Sequence, residues 1–170
     1  NKLNYIKFMA KTKIAINGFG RIGRIFFRCA FGHPDLEFVA INDLGAPENM
    51  AYLLKYDTVY GPYEKSIEIK NGNLIVDEKE IKVLQEKDIL KLPWKDLDID
   101  VVVESTGVFE SREASAPHLD AGAKRVVITA PAKDEVRDDA KTVLLGVNEE
   151  EFKTCKITSN GSCTTNAAHP

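Results

Sequence analysis

The run Ser159-Asn160-Gly161-Ser162-Cys163-Thr164-Thr165-Asn166 sets a cysteine where its anion would be stabilised. Strand-like Lys156-Ile157-Thr158 leads into the turn pair Asn160-Gly161, and small hydroxylated residues that cap helices follow at once. A thiol in the first turn of a helix faces unpaired backbone N–H groups and the positive end of the helix dipole. That environment favours the thiolate and makes Cys163 a candidate nucleophile. Seven residues follow it, so the base that works with this thiol is expected outside the sequence. His169 is read as a surface or packing residue: six positions along a helix is about 600°, which turns it well away from Cys163. His33 and His118 are read as solvated.

A second constellation lies near the other end. Gly18-Phe19-Gly20-Arg21-Ile22-Gly23 fits G-x-G-x-x-G directly after a strand pattern and at the start of a helical one, the context that makes this spacing a dinucleotide site. Gly18 allows the tight turn, Gly20 lets a diphosphate approach, and Gly23 lets helix and sheet pack closely. Backbone N–H groups around Arg21 and Ile22 then face the phosphates. Asp43, twenty residues after Gly23 at the end of the second strand pattern, is placed to accept from the adenosine ribose hydroxyls. Its charge opposes a 2′-phosphate, and Leu44-Gly45-Ala46 offers no cation, so NAD is expected over NADP. Glu104-Ser105-Thr106-Gly107-Val108-Phe109 ends a further strand, where ligands lie in open α/β sheets. Phe109 reads equally as an aromatic face along an adenine or as a core residue. Thr129-Ala130-Pro131 closes the next strand toward the nicotinamide end.

The elements that must hold these groups alternate between strand and helix patterns, the mark of a doubly wound, mostly parallel α/β sheet. Strands are predicted at 13–17, 37–42, 100–104, 125–129, 142–146 and 156–158, and helices at 21–31, 49–56 and 113–121. Residues 66–84 alternate around Asn71-Gly72-Asn73 and predict a small antiparallel insertion with a tight turn. Cys29 falls in the apolar pattern of the first helix and is read as core, and Cys155, just before a strand, as structural.

Composition narrows the field. The 170 residues are 44% hydrophobic and 29% charged with net charge −3, as in a globular protein, and the mixed charges argue against nucleic acid. No apolar run approaches the roughly 20 residues that cross a bilayer. Three cysteines without metal-ligand spacing fit a reduced, cytoplasmic setting and no metal site. Residues 1–10 are read as a loose extension before a more natural start at Met9-Ala10.

Taken together, Ala15-Ile16-Asn17-Gly18-Phe19-Gly20-Arg21-Ile22-Gly23-Arg24, Ile41-Asn42-Asp43, Leu53-Leu54-Lys55-Tyr56-Asp57, Glu104 to Phe109, Thr129 to Asp134 and Ser159 to Asn166 resemble phosphorylating glyceraldehyde-3-phosphate dehydrogenases. The resemblance implies a Rossmann NAD-binding domain over 11–161 and, over 162–170, the start of a catalytic domain that is largely absent from this chain. It implies Cys163 as nucleophile and Ser162 and Thr164 as holders of the attacking inorganic phosphate. Cofactor contacts are implied for Asn17, Gly18, Gly20, Arg21, Ile22, Gly23, Asp43, Lys87, Thr106, Gly107, Phe109 and Thr129. The implied reaction is NAD-dependent oxidation and phosphorylation of glyceraldehyde 3-phosphate in glycolysis or its reverse, by a homotetramer. A dehydrogenase for a longer phosphate sugar, of the erythrose-4-phosphate type, would keep the same motifs, and these 170 residues by themselves also read as a non-catalytic NAD-binding module. The sequence departs from the family after Asn166, where Ala167-Ala168-His169-Pro170 replaces a usual Cys-Leu-Ala-Pro.

Overall fold

The computed structural model describes residues 10–134 and 138–169, so all but the last residue of the extension read at 1–10, and Pro170, lie outside the described residues. In chain order the elements are β1 (Thr12–Asn17), α1 (Arg21–Ala30), β2 (Leu36–Asn42), α2 (Pro47–Lys55), β3 (Ile67–Lys70), β4 (Asn73–Val76), β5 (Lys79–Leu84), β6 (Val101–Glu104), α3 (Arg112–Ser115), α4 (Pro117–Asp120), β7 (Arg125–Ile128), β8 (Ala140–Thr142), β9 (Ile157–Ser159) and α5 (Cys163–Ala168). They form one sheet in the order β3-β4-β5-β2-β1-β6-β7-β9-β8. From β5 to β8 every pairing is parallel, while β3 pairs β4 and β4 pairs β5 antiparallel. The predicted insertion is therefore real, and its last strand carries it into the main sheet. Strand order reverses at β1, with β2 on one side and β6 on the other, so the switch point where such sheets bind ligands lies between β1 and β6.

The central strands are covered on both faces, and alternation decides which residue faces which layer. Ile14, Ile16 and Val103 pack with Phe27 of α1 and with Leu74, Val76 and Ile81 of the insertion. Phe27 meets Phe19, Phe31 and Phe38 at centroid distances of 5.7, 4.9 and 4.8 Å. Ala15, Ala40 and Val102 point the other way, onto Ile89, Leu92, Ile99 and the buried Trp94. Each large side chain buried here contributes roughly 1.5–3 kcal/mol of transfer free energy.

Three expectations are corrected. Cys29 is exposed, because the buried line of α1 runs through Gly23 and Phe27 and Cys29 lies about 200° round the helix from Phe27. The strand expected at 142–146 occupies Ala140–Thr142 instead. Beyond it the Asn148 side chain accepts from Leu144 N–H at 2.9 Å and donates to the Thr142 carbonyl at 3.0 Å, which takes those groups out of the ladder. The single helix expected at 113–121 is two short ones meeting at Pro117, the first capped by Ser111 Oγ accepting from Ala114 N–H at 3.0 Å. Cys155 is buried, as the structural reading holds. Among the described residues no helix is long and apolar enough to cross a membrane.

Candidate dinucleotide site and cysteine helix

A cleft of about 590 Å³ opens at the carboxyl ends of β1, β2 and β6. Of the residues picked from sequence, Asn17, Gly18, Gly20, Asp43, Lys87, Thr106 and Phe109 line it. Asn42, Leu44, Glu86, Ile89, Ser105 and Val108 complete its wall. Lys87 is exposed there, and Phe109 is half-buried, lining the cleft while packing against the Trp94 layer.

The glycine turn is held on three sides. Gly18 has φ +90°, and a Cβ on it would lie 2.5 Å from the Thr106 nitrogen. A Cβ on Gly23 would lie 2.3 Å from the Gly18 carbonyl oxygen, so helix and turn approach as the motif predicts. Gly18 N–H donates to the Asn42 carbonyl at 2.8 Å, and Ser105 Oγ donates to the Gly18 carbonyl at 2.6 Å. Gly20 differs: a Cβ there meets nothing within 4 Å, because it would project into open space beside the cleft. Bare backbone at Gly20 leaves room for a diphosphate against the start of α1.

Asp43 is tied to the same turn. Its Oδ2 accepts from Phe19 N–H at 2.7 Å and its Oδ1 from Gly45 N–H at 2.8 Å. Each carboxylate oxygen keeps further acceptor capacity for a ribose hydroxyl. Arg21 and Ile22 are exposed on the first turn of α1, outside the cleft wall. The Arg21 guanidinium lies 3.6 Å from Asp57, whose carboxyl is held below its ordinary range by the backbone N–H groups of Tyr60 and Val59, with Arg21 adding to the effect. Gly107 is exposed on the loop after β6, and Thr129 follows β7, with both its N–H and its hydroxyl donating to the Glu104 carbonyl.

Sequence reasoning missed what lies beneath the cleft. Asn42, Asn17 and Glu104 are paired in register across β2, β1 and β6, one alternation above the row Ala40, Ala15, Val102. All three are buried and joined: Asn42 Nδ2 donates to Asn17 Oδ1 at 2.7 Å, and Asn17 Nδ2 to Glu104 Oε2 at 2.6 Å. His118, expected in solvent, is fully buried at the end of this row, with Nε2 3.0 Å from Glu104 Oε2 and Nδ1 2.9 Å from Trp94 Nε1. The helix bearing it lies against the sheet face that Trp94 covers, which helical periodicity over four residues could not reveal. The available signal was three strands each ending in a polar residue two positions past a small apolar one.

Cys163 begins α5, past the carboxyl end of β9 and so on the sheet edge that carries the cleft. Three strand spacings separate β9 from β1, about 14 Å. Ser162 caps the helix, its Oγ accepting from Thr165 N–H at 2.9 Å. The Ser162 and Thr164 hydroxyls lie 2.8 Å apart. Asn160 N–H donates to the Ile128 carbonyl and Asn166 Nδ2 to the Asn160 carbonyl, which anchors the turn to β7. Cys163 is exposed, and so is His169 at the far end of the helix.

Switch point, glycine turn and the carboxylate at the end of β2 define a dinucleotide-binding α/β domain. Residues 12–112 match the family model described as glyceraldehyde 3-phosphate dehydrogenase, NAD binding domain. The chain is 52% identical over 162 residues to glyceraldehyde-3-phosphate dehydrogenase of Thermotoga maritima, covering 94% of this chain and 47% of that protein. It is 48% identical over 164 residues to glyceraldehyde-3-phosphate dehydrogenase 1 of Trichormus variabilis, covering 95% of this chain and 47% of that protein. Against the Geobacillus stearothermophilus glyceraldehyde-3-phosphate dehydrogenase it is 48% identical over 161 residues. The chain belongs to the glyceraldehyde-3-phosphate dehydrogenase family, and its cofactor is NAD. It spans about half the length of the curated relatives it matches.

Proposed function

We propose that the protein oxidises and phosphorylates glyceraldehyde 3-phosphate to 1,3-bisphosphoglycerate through a thioester on Cys163, in glycolysis or its reverse. The observation that supports this reading is the shared sheet edge: an exposed cysteine at a capped helix start stands on the edge that carries the NAD cleft. The Cys163 sulfur attacks the aldehyde carbon, forming a C–S bond and leaving the carbonyl oxygen as an oxyanion beside the first-turn N–H of Cys163. The C–H bond of that thiohemiacetal then breaks, its hydrogen leaving as hydride while the oxyanion closes to the thioester carbonyl; NAD, when bound, would supply the hydride acceptor. Gly18, Gly20 and Asp43 hold its adenosine diphosphate portion, with Arg21, Ile22, Gly23 and Lys87 bordering it; Thr106, Gly107 and Phe109 form the facing wall along the dinucleotide, and Thr129 lies toward the nicotinamide end. An oxygen of inorganic phosphate then attacks the thioester carbon, and the C–S bond breaks to release an acyl phosphate and the Cys163 thiolate. The paired hydroxyls of Ser162 and Thr164 orient that phosphate. Assembly as a cytoplasmic homotetramer belongs to the same proposal.

The test is reduction of NAD by the protein with glyceraldehyde 3-phosphate and phosphate, with erythrose 4-phosphate as competitor. Cys163→Ser is expected to lower turnover at least about a thousandfold while NAD binding, followed by calorimetry, stays the same. Turnover that survives the substitution removes Cys163 from the mechanism. NAD binding with no turnover by the unaltered protein leaves a binding module instead.

A further inference from the structure

Trp94 has a single polar atom, and its indole N–H can only donate. The His118 Nδ1 that faces it at 2.9 Å therefore accepts and carries no proton. The neutral ring bears its proton on Nε2 and donates it to Glu104 Oε2 at 3.0 Å. Asn17 obeys the same logic: its Oδ1 accepts from Asn42, so its amide nitrogen donates to Glu104. The 3.4 Å approach of Asn17 Nδ2 to His118 Nε2 is then two donors sharing one acceptor. On its other oxygen, Glu104 Oε1 accepts from Thr106 N–H at 2.8 Å and from Thr106 Oγ1 at 2.5 Å. At the opposite end, Asn42 donates to the Glu86 carbonyl at 2.8 Å and accepts from Glu86 N–H at 2.9 Å. The row thus has a fixed direction, and it grips both walls of the cleft: Glu86 on one side and Thr106 on the other.

We propose that His118 is a positioning residue for NAD. It lies outside the cleft wall and acts through Glu104, whose carboxylate it orients so that the Thr106 turn stands at the width an adenosine moiety fills. Without the His118 donor, Glu104 has only Asn17 to hold Oε2, and the turn that Oε1 anchors is free to shift. Removing His118 also leaves the buried Trp94 indole N–H without its acceptor, and a buried network that has lost a member relaxes in geometry. The inference rests on NAD as the cofactor and on the cleft as its site.

The experiment is calorimetry of the protein with NAD and, separately, with AMP, which occupies the adenosine end alone. His118→Leu keeps the volume and removes the donor; His118→Gln keeps an N–H within reach of Glu104. Expected are affinities about tenfold weaker for NAD and AMP alike in His118→Leu, and recovery to within about threefold of the unaltered protein in His118→Gln. A folded His118→Leu protein that binds both within about twofold of the unaltered protein overturns the proposal and leaves His118 a packing residue. Should His118→Leu not fold, Trp94→Phe decides. Its imidazole nitrogen resonances are expected to leave the pure Nε2–H pattern, with NAD binding about threefold weaker. Unchanged affinity in Trp94→Phe overturns the proposal whatever the spectrum shows. An unaltered protein that binds neither NAD nor AMP overturns the cofactor site itself, an outcome distinct from a selective loss in the variants.

Discussion

Around Gly18 the backbone has no room to move, whereas around Cys163 it is held by little beyond its own cap. The dinucleotide end wedges a positive-φ glycine against Thr106, ties Asp43 to Phe19 N–H, and rests on a buried row running from Asn42 to Trp94. The cysteine end is a six-residue helix with no buried residue, joined to the sheet mainly through the Asn160 turn. Binding a diphosphate by close backbone approach demands fixed geometry before the ligand arrives. A nucleophile, the role we propose for Cys163, must instead be reachable. The two ends express those opposite needs on one sheet edge.

The sharpest way to break the comparison is Gly18→Ala. The new Cβ would sit 2.5 Å from the Thr106 nitrogen at a φ of +90°, so a cost of about 2–3 kcal/mol or more is expected. Urea unfolding followed through the sole tryptophan, Trp94, should show a lower midpoint, and NAD binding should disappear. A stability equal to that of the unaltered protein would mean that the turn is as permissive as the cysteine end.

Acid should weaken the folded domain as a whole rather than either end alone. Asp57 is held below its ordinary carboxyl range by Tyr60 and Val59 N–H groups, Asp98 by Lys124 and then Lys13, and Glu151 by Lys141 and then Thr154. With folded values depressed, the unfolded chain takes up protons first as the pH falls. The stability these groups contribute is therefore whole above about pH 4.5 and is lost as acid approaches their folded values. Urea midpoints measured from pH 6 down to pH 3 should fall below about pH 4.5, and midpoints that rise there would contradict the assigned partners.

The smallest effect is expected at Ser162→Ala. Losing the cap should cost α5 about 1 kcal/mol, seen as faster amide exchange at Thr165 and Asn166, while the urea midpoint at Trp94 barely moves. An equal drop in the global midpoint would show that α5 is coupled to the sheet far more tightly than its exposure suggests.

Much of this architecture was legible in the chain. The β1 and β2 patterns, the glycine motif and Asp43 report local rules, in which alternation, φ freedom and spacing are properties of short segments. What stayed hidden depended on partners far away in sequence. His118 reads as a solvated histidine on a short helix until Trp94, Glu104 and Asn17 come together around it. Cys29 reads as core because its neighbours are apolar, yet the face that α1 buries is chosen by the sheet. The strand at β8 slid because Asn148 competes for its backbone, a contest no alternation pattern records.

The sequence by itself determined the order of elements, the dinucleotide turn and the cysteine's place at a helix start, since each follows from a few consecutive residues. Tertiary structure alone decided that Asn42, Asn17 and Glu104 stand in one register, and that a buried histidine completes their row. Register and burial are set by which strands become neighbours, and that is a property of the whole sheet.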